Sequence, residues 1–461
     1  MPKHIIIIGG GPAGYVGAIR ASQLGAKVTL VEQASSLGGT CLNVGCIPTK
    51  ALLASASLLQ QIRHASQFGL TTGEAGFDWA AVQQRKERVV KKATAGVGLL
   101  LKKRGVAVVN GAARLLNATT VQVTANDGKA TELTGDFILI ATGSEPVKLP
   151  IPGADHPRVI DSTGALALDI VPKNLLIIGG GVIGCEMADI YSTFGTKVTI
   201  VEMMPQLIPG EDAEAVKVLH GALAKRGVGI MLESKVTRIV EQRQDTAVHV
   251  QGKGLDEQVI AVDTVLVAAG RKAALAGLGL DAAGVTVENR YIKVDRQCAT
   301  SVPGIFAAGD CTGGGGWLLA HVASRQAEVA VERMLGHDAV MDYTAVPRCV
   351  YTHPEIASVG TLETNDALLP GKFPFSASGK ASCLGELEGF VKIVADKETH
   401  AVRGAVIVGP SATELIAELT LAIAQGIELE DIAHAIHAHP TLHESTLEAA
   451  LAALGRAIHL P

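Results

Sequence analysis

The stretch IIIIGGGPAGYVGAIRASQLGAKVTLVE, residues 5–32, returns without a gap at residues 175–202 as LLIIGGGVIGCEMADIYSTFGTKVTIVE. Each copy opens with a short apolar run, the mark of a parallel strand buried on both faces. Gly-x-Gly-x-x-Gly follows: Gly9, Gly11 and Gly14 in the first copy, Gly179, Gly181 and Gly184 in the second. Then come a stretch of helical period and a second apolar strand ending in an acid, Glu32 or Glu202. In such a βαβ unit the first glycine permits the tight turn, the second lets a pyrophosphate approach the backbone, and the third lets helix and strand pack closely. The helix N-terminus offers unpaired N–H groups and partial positive charge to phosphate. The terminal carboxylate can accept both ribose hydroxyls. A single glycine pattern is weak, since a plain tight turn also produces it. The whole series, twice at one spacing, points to two dinucleotide sites. Glu202 would repel a 2′-phosphate and no arginine stands beside it, so the second site is expected to prefer NAD to NADP.

The bulk properties agree with a large globular chain. At roughly 150 residues per domain, 461 residues suggest about three domains. Aromatics make up only 3% of the chain, so the core is expected to rest on Ala, Val, Ile and Leu. The net charge of −5 comes without a basic block, which argues against nucleic acid as a partner. The four isoleucines near the N-terminus are too few for a signal peptide, and no run approaches the ~18 apolar residues of a membrane span. The expected location is the cytoplasm, with no membrane partner. The seven cysteines are odd in number and scattered, unlike a secreted disulfide framework.

Two of them stand five apart in GGTCLNVGCIPTK, residues 38–50. Cys41 and Cys46 could be a redox pair, part of a metal site, or two buried thiols. On a regular helix they would lie ~7.5 Å apart along the axis and ~140° apart around it. A disulfide needs Cα atoms roughly 4.4–6.8 Å apart, so a bridge requires an irregular turn, which Asn43 and Gly45 make plausible, with regular helix from Pro48 onward. A zinc site would need further ligands at short spacing, and none is near; no metal is expected. A redox reading needs one sulfur open to substrate for thiol–disulfide exchange and the other beside a two-electron acceptor such as flavin.

Three more apolar strands run into glycine turns: FILIATGSEP (137–146), TVLVAAGRKA (264–273) and GIFAAGDC (304–311). Asp310, in the last, either meets a sugar-alcohol chain or caps the helix that includes Leu319 to Met334. Cys185 and Cys311 read as small buried residues. Near the C-terminus, HAHPTLHES (437–445) presents His439, whose ordinary pKa of about 6.5 suits proton transfer near neutrality. Glu444 could orient it, or could merely start the last helix through the capping pattern Thr441-x-x-Glu444. Ser445-x-x-Glu448 offers a second such box. The His439–Pro440 bond is a candidate cis peptide.

In combination, the two glycine units, GGTCLNVGCIPTK, ATGSEP, GDC, YTHPEIASVG (351–360) and HAHPTLHES resemble the flavoprotein disulfide reductases over essentially the whole chain. Within that family the likeness is to the branch that oxidises dihydrolipoyl groups. The resemblance implies FAD and NAD as cofactors and an obligate homodimer. Cys41 would be the interchange thiol, Cys46 the charge-transfer thiol, Lys50 a neighbour of the flavin paired with Glu186, and His439 the acid/base, oriented by Glu444 and entering the partner chain's site. FAD would be held by Gly9, Gly11, Gly14, Glu32, Gly39, Thr40, Lys50, Ala141, Thr142, Gly143, Asp310, Ala320 and His321. NAD would be held by Gly179, Gly181, Gly184, Glu202 and Gly270. The substrate arm would come from a separate lipoyl domain or lipoyl carrier protein of a multienzyme complex; another small disulfide reduced with NADH is the alternative. Two departures stand out. GRKAAL (270–275) lacks the usual arginine-proline-asparagine run, and the loop CTGGGG (311–316) carries four glycines.

The expected fold is α/β. It has an FAD-binding domain (1–145), an NAD-binding domain (146–270), both Rossmann-like, and a central segment completing the FAD site (271–341). An α+β dimerisation domain (342–461) follows, with a strand pair turning at Asp396–Thr399 and a helix over 412–425.

Overall fold

The computed structural model describes residues 1–242, 245–363 and 365–460. Its chain forms two compact units. The first comprises Met1–Ala51, Gln83–Val147 and Gly270–Tyr343; the second comprises Leu52–Val82, Lys148–Ala269 and Thr344–Pro461. The residues read as a central segment thus fold with the first dinucleotide unit.

The first unit is built on a five-stranded parallel sheet in the order Ile305–Ala307, Phe137–Ile140, His4–Ile8, Lys27–Glu32, Ala107–Asn110. The isoleucine run needs apolar partners on both sides. Ile5 and Ile7 pack with Ala13, Ala18 and Ala21 of helix Pro12–Gln23 and with Ala327 and Val331 of helix Ala320–Met334. Ile6 and Ile8 face the other way, onto Leu115, Val121 and Val123 of an antiparallel meander. Alternation of side chains along a strand divides one apolar run between two cores.

The second unit repeats the device. Its parallel sheet runs Gly229–Met231, Lys197–Val201, Asn174–Ile178, Thr264–Val267, Val159–Ile160. Leu175 and Ile177 join the core shared with helix Val182–Thr193, and Leu176 and Ile178 meet Val236, Val248 and Val250 of a second meander. The unit also holds a five-stranded antiparallel sheet ordered Arg348–Val350, Glu355–Gly360, Val402–Gly409, Phe390–Asp396, Leu368–Pro374. The strand pair turns at Asp396 as expected, where its Oδ1 accepts the N–H groups of Glu398 and Thr399. Helix Ala412–Gln425 lays Leu415, Ile416, Leu419 and Ile423 into this core. The fold is therefore the α/β class anticipated, with an α+β C-terminal portion.

The core rests on Ala, Val, Ile and Leu as expected, and the few aromatics Phe77, Trp79, Tyr191 and Phe194 gather in the second unit, with ring centroids 4.9–6.0 Å apart. One expectation is corrected: the helical stretch Gly39–Arg63 is long and apolar enough, by length and composition alone, to cross a membrane. It is broken at Gly45, and its Leu52, Leu53, Ala56 and Leu59 are buried in the second unit's core.

The third glycine of each motif is a packing requirement. A β-carbon on Gly184 would stand 2.0 Å from the Gly179 carbonyl oxygen, and one on Gly14 1.8 Å from that of Gly9. At Gly181 the same atom meets nothing within 4 Å. Gly184→Ala is expected to lose roughly 1–3 kcal/mol, the cost of overpacking, whereas Gly181→Ala leaves stability nearly unchanged; urea unfolding of the two variants measures the contrast.

Candidate active site

In the first unit the glycine turn and the thiol segment are one structure. Gly9 takes φ +105°, and a side chain on it would strike the Ala141 carbonyl at 2.3 Å. The Gly38 N–H donates to the Gly10 carbonyl at 2.8 Å, and a β-carbon on Gly39 would stand 2.6 Å from the Gly11 Cα. Short helix Gly39–Val44, carrying Thr40 and Cys41, therefore starts against the motif. Asn43 Nδ2 closes it by donating to the Leu37 and Gly39 carbonyls at 2.9 Å each.

Gly45 then breaks the helix, with φ −142° and ψ −114°; a β-carbon on it would stand 2.9 Å from the Thr40 carbonyl oxygen and 3.4 Å from the Cys41 Cα. The next helix begins at Cys46, two residues earlier than Pro48. The irregular link that a close pair demands is present, and the two thiols share a hydrogen bond. That bond, then burial, raises the Cys41 pKa, while the Lys50 ammonium pulls it down. Lys50 lies four residues after Cys46, one turn along the same helix face. Among the described residues no group of three His, Cys, Asp or Glu is placed to hold a metal ion.

Around this turn stand residues the sequence singled out and three, Ser144, Arg271 and Tyr15, that it did not. Asp310 does not cap helix Ala320–Met334, whose N-cap is Leu319; instead its Oδ2 accepts the Ser144 hydroxyl at 2.5 Å. Arg271 donates to the Ser144 hydroxyl at 2.8 Å and carbonyl at 2.7 Å, and reaches the Thr40 hydroxyl at 3.4 Å. Arg271 sits in the atypical GRKAAL run; strand Arg271–Ala273 pairs with Ser144–Pro146 and aims it there. Ala141, Thr142 and Gly143 follow the strand Phe137–Ile140, and Ala320 and His321 open the last helix of the unit. Tyr15 also belongs here: burial, then the nearby Cys41, raise its phenol pKa.

Both motif acids hold their own loops. Glu32 accepts the Gly10 N–H at 2.7 Å and the Ala34 N–H at 2.8 Å. Glu202 accepts the Gly180 N–H at 2.6 Å and the Met204 N–H at 2.8 Å. Each carboxylate oxygen has a second lone pair left for a ribose hydroxyl. The fit to a dinucleotide rests on the second glycines. Gly181 faces open space, and Gly11 meets only the Gly39 Cα, at 3.7 Å from a β-carbon position. Helices Pro12–Gln23 and Val182–Thr193 begin beside them with no side-chain cap, which leaves their N–H groups to phosphate. Gly270 folds with the first unit, its carbonyl accepting the Val147 N–H.

In the second unit, Glu186 is buried on the motif helix and accepts the Tyr351 backbone N–H at 3.1 Å. Near the C-terminus the His439–Pro440 bond is cis. His439 Nδ1 is 2.8 Å from Glu444 Oε1, and Glu444 Oε2 accepts the Thr441 N–H at 2.9 Å. Glu444 thus orients the ring and closes the turn together. The bond with His439 holds its carboxyl below the usual range. The His439 side chain is 81% exposed, so the remaining ring nitrogen is open. The second box is not formed: Ser445 is fully buried, and Glu448 accepts the N–H groups of Ile458 and His459. Cys185 and Cys311 are fully buried as expected; burial pushes Cys311 up to about 11.

Two dinucleotide units and a dithiol seated on the first glycine turn define an oxidoreductase of disulfides. The chain belongs to the pyridine nucleotide-disulphide oxidoreductases: residues 3–327 match that family and residues 346–450 its dimerisation domain. The dihydrolipoyl dehydrogenase of Geobacillus stearothermophilus is 44% identical over 99% of this chain and 97% of its own. That of Bacillus subtilis is 42% identical over 99% and 97%. Among solved structures, LpdA from Mycobacterium tuberculosis superposes with a TM-score of 0.91 at 30% identity, covering 97% of this chain and 99% of that one. The HOCl-induced flavoprotein disulfide reductase RclA from Escherichia coli gives 0.86 at 30% identity, covering 97% and 99%. The chain is thus a flavoprotein disulfide reductase resembling dihydrolipoyl dehydrogenases.

Because the Cys46 bond is the leading cause of the raised Cys41 pKa, Cys46→Ala should move Cys41 ionisation to lower pH. The alkylation rate of Cys41 against pH, followed by mass spectrometry of the reduced protein, should show its midpoint fall; an unmoved midpoint would break the assignment.

Proposed function

We propose that this protein is a homodimeric dihydrolipoyl dehydrogenase that oxidises the dihydrolipoyl group of a separate carrier protein and reduces NAD. The carrying observation is the shared hydrogen bond of Cys41 and Cys46 at a helix break seated on the first glycine turn. Relatives of that name, 40–44% identical along nearly the full chain, support it.

FAD would lie on Gly9, Gly11 and Gly14, with Glu32 at its ribose, Gly39, Thr40 and Lys50 beside it, and Ala141–Gly143, Asp310, Ala320 and His321 completing its cradle. NAD would lie on Gly179, Gly181, Gly184 and Glu202. Bound together, the two cofactors supply a two-electron acceptor and an outlet for the pair. The chain's own residues do the sulfur chemistry. His439 takes a proton from the substrate dithiol through Nε2, while Glu444 holds Nδ1 and stabilises the charged ring. In the dimer the exposed ring of one subunit would serve the thiols of the other. The substrate thiolate attacks Cys41 Sγ of the oxidised pair, the Cys41–Cys46 bond breaks, and Cys46 leaves as a thiolate. The second substrate sulfur attacks the first, closes the lipoyl disulfide and releases Cys41, which takes up a proton. The electron pair then resides on Cys41 and Cys46. Lys50, one turn from Cys46, favours the thiolate electrostatically.

A second reading, reduction of another small disulfide with NADH, draws support from the likeness to RclA. A substrate panel separates the two. Rapid NADH oxidation with lipoamide, and little with NADPH or glutathione disulfide, is the expected outcome; preference for another disulfide would keep the dithiol chemistry and discard the substrate. His439→Gln should lower lipoamide turnover by at least ~10²-fold, and a mild effect would return that residue to a structural role.

A further inference from the structure

His439 stands in an irregular segment between helices Leu429–His434 and Glu444–Ala453. Two other histidines bracket it, and both hold one carboxylate on a third helix. His437 Nε2 lies 3.0 Å from Glu418 Oε1, and His443 Nδ1 lies 3.0 Å from Glu418 Oε2. Glu418 belongs to helix Ala412–Gln425, whose neighbouring Leu415 and Leu419 are buried in the antiparallel-sheet core. The carboxylate is therefore mounted on a rigid element, and the loop is fastened to it on both sides of the cis His439–Pro440 bond.

The chemistry of His437 sharpens this. Its other nitrogen, Nδ1, lies 3.0 Å from the Ala435 carbonyl oxygen. A carbonyl can only accept, and an ionised carboxylate can only accept, so both contacts are hydrogen bonds when the ring donates from both nitrogens. The side chain is only 7% exposed. A bond donated to an ionised carboxylate in that setting is charge-assisted, about twice as strong as a neutral one. His443 adds a second bond from the residue directly before Glu444, the acid that orients His439 Nδ1.

We propose that Glu418 is a positioning residue for the reaction: through His437 and His443 it fixes the loop so that His439 meets the substrate thiol in register. This rests on the acid/base reading of His439. Nothing in it requires Glu418 to touch substrate or cofactor. Proton transfer needs heavy atoms within ~2.6–3.2 Å, and a displacement of about 1 Å can cost ~10²-fold in rate.

The test is a double-mutant cycle on the FAD-loaded dimer, reading NADH:lipoamide turnover and, in parallel, NADH:ferricyanide turnover, which needs no thiol proton. Glu418→Ala should lower lipoamide kcat by ~10-fold or more with ferricyanide turnover unchanged. In the His439→Gln background the same substitution should change lipoamide turnover less than about twofold, because a misplaced loop no longer matters once the working ring is gone. His443→Ala, which removes a 45% exposed side chain, should give a smaller loss that vanishes in the same background. Equal losses in both backgrounds, a parallel fall in ferricyanide turnover, or no loss at all would overturn the proposal. If His439→Gln alone leaves lipoamide turnover intact, the acid/base reading fails first and Glu418 loses its role with it.

Discussion

The structure depends on one close approach, repeated: a helix that begins within touching distance of the strand it follows. Gly14 stands over the Gly9 carbonyl and Gly184 over that of Gly179, with no room for a β-carbon at either place. Gly9 and Gly179 reach the turn only at φ near +105°, a region that L side chains avoid. The acids at the ends of the next strands lock the turn from the far side by accepting the Gly10 and Gly180 N–H groups. A buried carboxylate is tolerable because each oxygen has a donor. The same arrangement leaves the helix N-terminus bare, and a bare N-terminus beside a flat glycine is an anion site.

From that turn the thiol segment follows. Gly38 donates its N–H to the Gly10 carbonyl and Gly39 has no room for a β-carbon against the Gly11 Cα, so the cysteine helix begins on the motif itself. The break at Gly45 then lets two cysteines five residues apart come within hydrogen-bonding reach. Their environments differ. Cys41 is partly buried, and the bond with Cys46, then burial, raises its pKa; Cys46 is exposed and opens a helix, where the N-terminal partial charge favours a thiolate. Two sulfurs in unlike surroundings suit directional exchange, since one must be attacked and the other must leave.

The C-terminal histidine follows a different logic. It is exposed, so its orientation cannot come from packing. It comes from carboxylates: Glu444 on its Nδ1, and Glu418 on the two histidines around it. Each of those acids sits on a helix whose apolar face belongs to the antiparallel-sheet core. Core packing is thereby converted into the placement of a side chain that touches no core.

The sequence by itself determined the elements with a strict pattern. The two βαβ units, their glycines and acids, the strand pair turning at Asp396 and the helix over 412–425 were all legible, because periodicity and steric exclusion act over a few residues. So were the cysteine pair and the His439–Glu444 couple, which are local in the chain. Tertiary structure decided the rest. It gave Ser144 to Asp310 rather than leaving Asp310 as a cap, brought Arg271 to Ser144 and Thr40, and set Tyr15 near Cys41. It placed Glu418 between His437 and His443, and gave Glu448 to the chain end instead of a capping box. Each of these joins residues that no period or motif links. A polar side chain carries no record of its partner in its own neighbourhood; the partner is chosen when sheets and helices close and the remaining donors and acceptors must be satisfied.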